Sequence, residues 1–175
     1  MNKFSARKYN AFTLIELLVV IGILAILLTI VLIAINPARQ FAQSNNTRRR
    51  SDINTILNAI HQYSVDQRGN IVALNIPQED ADPLTNDAIE IMTEDAGTPG
   101  AEPDICALLV PTYVSALPVD PQVDGGAGMG VPISDCTVAY STGYEVVRSN
   151  IANNIRITVR VMTPEAPETL IEITR

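Results

Sequence analysis

The feature that most constrains this chain is a long apolar run near its N-terminus. Residues 12–35 carry one charge, Glu16, in 24 positions, and within residues 17–35 only Gly22 and Thr29 fall outside the aliphatic set. As an α-helix, residues 17–35 span about 28 Å, close to the roughly 30 Å hydrocarbon core of a bilayer. The run therefore predicts a helix that crosses a membrane at some stage.

An ordinary secretory signal peptide is the alternative interpretation of this run. Such a peptide has an apolar region of about 7–15 residues that ends in a small-x-small cleavage site. Here the run is longer and continues into residues 36–39, which read NPAR and offer no such site. A retained membrane helix is therefore favoured.

The remainder of the chain is polar and acidic. The sequence has 175 residues and a net charge of −7, which suits one small domain and argues against a protein that coats nucleic acid. Residues 69–147 contain 13 Asp and Glu and no Lys or Arg. We therefore expect one acidic domain on a hydrophobic anchor, with no nucleic-acid partner.

The start of the apolar run contains a recognisable motif. Residues 8–18 read KYNAFTLIELL: the end of a short basic leader, a small residue, Phe, Thr-Leu-x-Glu, and then the apolar helix. This segment resembles the class III signal sequence of type IV pilins and pseudopilins. The resemblance implies that a prepilin peptidase cuts between Ala11 and Phe12 and that the new amine of Phe12 is methylated. Most members of the family carry Gly where this chain has Ala11.

The resemblance also implies a role for Glu16, which would be fifth in the mature chain and would pair with the N-terminal amine of an adjacent subunit during filament assembly. The physical chemistry agrees, because a carboxylate in hydrocarbon costs on the order of 2.5–3.5 kcal/mol at the centre of a helix and needs a cation nearby. Two alternatives stay open: a solvated carboxylate at the membrane interface, and pairing with the amine of Phe12 in the same helix.

A second helical pattern follows the span. Pro37 lacks an N–H group and disfavours helix at the residue before it, so we expect a bend there and at Gly22. Beyond it an apolar stripe with helical spacing extends to a stop signal after Arg68, so residues 12–68 predict one long, bent helix. The stripe consists of Ile53, Ile56, Leu57, Ile60 and Ser64.

Two features of this second half invite functional interpretations. The triplet Arg48, Arg49 and Arg50 suits interfacial anchoring or a solvated face, with a nucleic-acid or lipid-headgroup site as the alternative. His61 is the only histidine in the chain, and a lone histidine cannot by itself form a metal site or a catalytic triad. We expect it at the boundary of the core.

The C-terminal region predicts a small sheet. Residues 143–148, 155–162 and 171–174 are strand-like and indicate a three-stranded antiparallel meander, whose apolar face needs the helical stripe as a cover. Residues 69–104 indicate a surface excursion, with a short helix near Asp87–Met92. The predicted fold is α+β and pilin-like: a long N-terminal helix packed on a small C-terminal antiparallel sheet. Residues 113–121, YVSALPVDP, are also similar to a segment that recurs in pseudopilins and related pilins.

Two sets of side chains in the head could stabilise it. Cys106 and Cys136 would close a loop of about 31 residues as a disulfide, which an extracytoplasmic location favours over two buried thiols.

Asp120, Asp124 and Asp135 lie around a glycine-rich segment. Oxygen ligands there suit Ca²⁺, which some pseudopilins bind in this region. The spacing matches no complete calcium loop, so a solvated acidic loop is favoured and no cofactor is expected.

The predicted organisation has four parts: a cleaved leader (1–11), a transmembrane and filament-core helix (12–35), its amphipathic continuation (36–68) and an extracytoplasmic head (69–175). Motifs for nucleophilic, zinc and phosphate chemistry are missing from the sequence, so we expect no enzyme.

These features favour a structural subunit of a type IV pilus or pilus-like filament, first in the inner membrane as a single-pass protein and then in the filament. Its expected partners are copies of itself, other pilins, prepilin peptidase and the membrane. A pseudopilin of a type II secretion or DNA-uptake system is the closest alternative. A membrane-tethered extracytoplasmic binding module is the alternative from another class.

Overall fold

The computed structural model describes residues 12–79, 88–93, 105–149 and 156–175. The chain divides into two compact units, Met1–Gln40 and Phe41–Arg175. The first unit contains the apolar helix, and the second contains the sheet and the core that covers it.

The apolar run forms helix α1, Leu14–Ile35. The helix continues through Gly22 without a break, and a single glycine in a helix costs only about 1 kcal/mol relative to alanine. At Pro37 the helix is interrupted and not only bent, so residues 12–68 contain two helices and not the one long helix predicted. Asn36 adopts a left-handed conformation with φ 46°, and helix α2, Pro37–Asp66, begins at the proline.

Helix α2 carries the predicted apolar stripe. Ile53, Ile56, Leu57 and Ile60 are fully buried in the core of the second unit, and Tyr63 rather than Ser64 extends the stripe. The helix ends where the sequence indicated, since Arg68 and Gly69 both have positive φ angles.

A four-stranded antiparallel sheet forms the other layer, and its strands lie side by side in chain order: β1 (Ile89–Thr93), β2 (Tyr140–Arg148), β3 (Ile157–Val161) and β4 (Glu172–Thr174). The three predicted strands are present as β2, β3 and β4, and a further edge strand, β1, pairs with β2. Burial along β3 alternates as predicted, with Ile157, Val159 and Val161 buried and the two residues between them half-buried.

Strand β1 corrects one prediction. The sequence indicated a short helix near Asp87–Met92, whereas Ile89–Thr93 is a strand; Asp87 itself lies outside the described residues. The segment is paired with β2 through Ile89 and Val146, and Ile91 is fully buried. Partners distant in sequence therefore determine its conformation, as is common for short apolar segments.

Two short helical segments complete the described structure, a 3-10 turn at Val72–Leu74 and helix α3 at Cys106–Leu109. Leu74, Cys106 and Leu109 join the same core as the α2 stripe and the strands. The α+β prediction is confirmed, with one helix face and one sheet face closed against each other.

Candidate functional site

The N-terminus of α1 has a defined cap. Thr13 has extended backbone angles, φ −82° and ψ 149°, and its Oγ1 accepts a hydrogen bond of 3.3 Å from the backbone N–H of Glu16. Phe12 precedes the helix and is 80% exposed. Ala11, the other residue of the predicted cleavage site, lies outside the described residues.

The rest of α1 is an apolar surface. Leu14–Ile33 is long and apolar enough to cross a membrane, and none of this span is buried by the chain itself. A helix that is apolar on all sides normally occurs in a membrane or in the interior of an assembly. The span therefore needs lipid or other protein around it.

Comparison with protein families agrees with this description. Residues 6–32 match the family described as the prokaryotic N-terminal methylation motif. The chain carries the N-terminal methylation motif of type IV pilin-like proteins. The matched segment contains the predicted cleavage residues and Glu16, and with the apolar helix it indicates association with a membrane. Neither the curated proteins nor the solved structures include a match to the chain.

The recognition made from residues 8–18 is confirmed at the level of this motif. Proteins of the pilin type are in general processed by prepilin peptidases and assemble with other pilins.

The head of this pilin-like chain corrects the interpretation of the arginine triplet. Arg48 and Arg50 are exposed, as expected for a solvated face, and Arg49 is buried, so the interpretation is wrong for Arg49 alone. Arg48 donates to the carbonyl oxygen of Gly130 at 2.6 Å, and Arg50 forms an exposed ion pair with Glu168 at 2.7 Å.

Arg49 is fully buried and lies at the centre of a polar cluster. Its Nε and Nη2 donate to the two carboxylate oxygens of Asp120 at 2.7 and 2.9 Å. Its Nη1 donates to Asn46 Oδ1 at 2.8 Å and lies 3.3 Å from Glu165 Oε1. Burial alone would lower the pKa of Arg49, but the hydrogen bond to Asp120 and the charges of Asp120 and Glu165 act in the opposite direction, and the pKa is raised.

The cluster connects three parts of the head. Asn46 and Arg49 come from α2, Asp120 comes from the segment 113–121, and Glu165 comes from the loop between β3 and β4. Asn46 also donates to the backbone carbonyl of Glu165 at 2.7 Å. A bidentate, fully hydrogen-bonded arginine of this kind fixes geometry as well as charge.

The sequence contained a signal for Arg49 that its two charged neighbours obscured. Arg49 lies four residues before Ile53, which places it on the buried face of α2. A charge on an apolar stripe predicts a buried partner. The partner, Asp120, is 71 residues away in sequence.

A second buried polar pair lies beside this cluster. The hydroxyl of Tyr144 on β2 donates to Asp52 Oδ2 on α2 at 2.9 Å. Burial raises the pKa of the Asp52 carboxyl, and the hydrogen bond from Tyr144 and the charge of Arg48 oppose this shift. Burial and the neighbouring Asp52 raise the pKa of Tyr144, so the phenol stays protonated and able to donate.

The three carboxylates considered for Ca²⁺ have separate environments. Both oxygens of Asp120 are used by Arg49, Asp124 Oδ1 accepts from the N–H groups of Gly126 and Gly128, and Asp135 Oδ1 accepts from Thr137. Within the described ranges, no group of three or more His, Cys, Asp or Glu could hold a metal ion. The structure therefore does not bring these three residues together.

The two cysteines are joined. Cys106, in α3, forms a disulfide with Cys136, and their Cα atoms are 5.5 Å apart. The bond ties α3 to the loop that precedes β2 across 30 positions of sequence. A loop of this length corresponds to about 3–4 kcal/mol of stabilisation in the chain-entropy model.

His61 is half-buried at the edge of the apolar stripe of α2.

Proposed function

We propose that this chain is a structural subunit of a type IV pilus or a related pilus-like filament. Prepilin peptidase removes residues 1–11 and leaves Phe12 as the methylated N-terminus. Helix α1 first holds the protein in the inner membrane as a single pass, with the head on the extracytoplasmic side. The subunit then joins a filament with copies of itself and other pilins. The observation that carries this proposal is a methylation motif that extends into an apolar helix, and the chain itself leaves that helix uncovered.

The chemistry of α1 supports a helix that exchanges one apolar surrounding for another. Its side chains are about as apolar as lipid tails, so transfer from a bilayer into a bundle of similar helices provides little hydrophobic free energy. Packing and polar contacts must therefore favour the assembled state. Glu16, the only charged residue of α1, is suited to provide such a contact.

In the proposed filament, the Glu16 carboxylate pairs with the N-terminal amine of a neighbouring subunit. Cleavage after Ala11 creates that amine four residues before Glu16, so both groups lie at the same end of the helix. Pairing would neutralise two charges that are each costly in an apolar environment. Because an unpaired subunit keeps both charges, the contact would favour packed neighbours.

A pseudopilin of a type II secretion or DNA-uptake system is the second candidate. Residues 113–121 resemble a segment that recurs in pseudopilins and related pilins and so fit either candidate, and the same helix packing would apply. The two candidates differ in what the filament moves.

The proposal is tested by Glu16→Ala in the native cell, with Glu172→Ala on the exposed edge strand β4 as the matched control. We expect the Glu16 variant to enter the membrane but to yield at least ten-fold fewer filaments, since the amine loses its partner. The control should form filaments normally. Normal filament yield with Glu16→Ala would contradict the pairing. A wild-type chain that stays in the membrane and never enters filaments would contradict the filament role and favour a tethered module.

A further inference from the structure

The apolar part of α1 lies between two charged side chains. Glu16 and Arg39 enclose 22 uncharged residues. As helix, the chain from Glu16 to Asn36 rises by about 30 Å, which matches the thickness of the hydrocarbon core of a bilayer. Arg39 follows three residues after Asn36. In a bilayer of this thickness, one charge would therefore lie near each surface.

The helix break at Asn36 indicates where the span ends. Asn36 has a left-handed backbone, φ 46° and ψ 81°, and its carbonyl accepts from the N–H groups of Arg39 and Gln40, which starts α2. Because Pro37 has no N–H group, the last carbonyls of α1 lack helical partners. Hydrocarbon provides no donors for such carbonyls, whereas interfacial water does. The break therefore belongs at the membrane surface.

Arg39 is the basic side chain closest to this break. It is exposed, and in the part of the chain that the structure describes no carboxylate pairs with it, whereas Arg49 and Arg50 each have a carboxylate partner. Once cleavage after Ala11 removes the leader, Arg39 is also the first basic residue of the chain. A guanidinium beside a membrane span extends toward lipid phosphates and forms charge-assisted hydrogen bonds with them.

We propose that Arg39 binds lipid phosphate groups at the outer surface of the membrane and so fixes the depth of α1 while the subunit is in the bilayer. This inference rests on the proposed function, because it assumes that α1 crosses the inner membrane. Glu16 then lies about 30 Å away at the opposite surface, in contact with headgroups and water. It loses that water only when the subunit enters the filament, where the amine of a neighbour replaces it.

The test uses the full-length chain in vesicles of phosphatidylcholine and phosphatidylglycerol. The chain has no Trp, so a single introduced indole reports its own depth. Three variants are compared: Ile26→Trp in the middle of α1, Gln40→Trp beside Arg39, and Val72→Trp, which replaces a side chain of the head that is 77% exposed. Quenching of the indole fluorescence is measured with lipids brominated in the middle of their acyl chains and with lipids that carry a nitroxide on the headgroup.

We expect the acyl-chain bromines to quench Ile26→Trp and the headgroup nitroxide to quench Gln40→Trp, with Val72→Trp quenched by neither. In the Gln40→Trp chain, Arg39→Glu should lower the headgroup quenching about two-fold or more, because lipid phosphates repel the new carboxylate. Arg39→Lys should retain most of the quenching. Arg68→Glu, the same change of charge at an exposed arginine of the head, should leave it unchanged.

Two results would overturn the inference while leaving the membrane span intact. One is headgroup quenching of Gln40→Trp no stronger than that of Val72→Trp, although the bromines quench Ile26→Trp. The other is headgroup quenching of Gln40→Trp that Arg39→Glu does not change, which would mean that α1 takes this depth without Arg39. If the bromines did not quench Ile26→Trp, α1 would not lie in hydrocarbon, and the inference would fail together with the membrane step of the proposed function.

Discussion

Apolar side chains are exposed in helix α1 and buried in the head. Leu14 and Ile33 of α1 are 82% and 79% exposed, whereas Ile53 and Ile60 of α2 are fully buried in the head. Both regions contain aliphatic residues, but only those of the head are covered by other parts of the chain. The head completes its own core, while α1 depends on lipid or on other chains.

Charged side chains also differ between the two regions. The head buries Arg49 and provides acceptors for it from three segments, so its charge is compensated within the chain. Glu16 in α1 is exposed. The difference suggests that substitutions in the head change the stability of the fold, while substitutions in α1 change processing and assembly. The predictions below test this division.

The largest effect is expected for Asp120→Ala. Removal of one partner of a buried ion pair leaves Arg49 uncompensated, which typically costs about 3–5 kcal/mol of unfolding free energy. The measurement is urea unfolding of the full-length protein in detergent, followed by the near-UV signal of its tyrosines. Asp124→Asn, an exposed aspartate that keeps its acceptor oxygen, is the control. A loss below about 1 kcal/mol would mean that the Arg49 cluster does not stabilise the head.

A matched pair of conservative substitutions compares the two regions directly. Ile56→Val removes one methylene from a fully buried side chain and should reduce the unfolding free energy of the head by about 0.5–1.5 kcal/mol. Ile26→Val makes the same change on the exposed surface of α1 and should leave that free energy unchanged. The same unfolding assay measures both. Equal losses would show that α1 contributes to the core, contrary to the division described above.

The smallest effect is a pH dependence that arises at Asp52. Its pKa is raised by burial, so the folded protein binds this proton more tightly than the unfolded chain does. Stability from this group is therefore present at low pH and is lost as the pH rises from about 3.9 through the folded-state pKa. Asp52→Asn keeps an acceptor for Tyr144 and removes the titration. We expect the stability of wild type relative to this variant to fall across that interval.

The control for the pH experiment has the opposite sign. Hydrogen bonds from Thr137 lower the pKa of Asp135, so its contribution is present above the unfolded pKa and is lost as the pH falls. Relative to Asp135→Asn, wild type should therefore gain stability as the pH rises. If the Asp52 and Asp135 differences had the same sign, burial would not be the cause of the Asp52 shift.

Local patterns in the sequence predicted much of the fold. The spacing of Ile53, Ile56, Leu57 and Ile60 identified the buried face of α2, and alternation identified strands β3 and β4, with β2 as a third candidate strand. The break at Pro37 and the end of α2 also followed from local chemistry. These features depend on a few adjacent residues, so a single sequence contains the information.

Two features could not be predicted in this way because they depend on distant partners. Strand β1 is five residues long, and its pairing with β2 decides between strand and helix. The spacing of Arg49 places it on the buried face of α2, but its partners Asp120 and Glu165 are distant in sequence and meet it only in the folded head.

We propose above all that the chain is cut after Ala11 and that lipid or other protein chains cover its apolar helix α1. The most direct measurement is intact-mass and N-terminal analysis of the protein isolated from its native membrane. We predict a mature chain that begins with N-methylated Phe12 and retains the disulfide between Cys106 and Cys136. A membrane protein that still begins with Met1, or one cleaved beyond α1, would contradict the account.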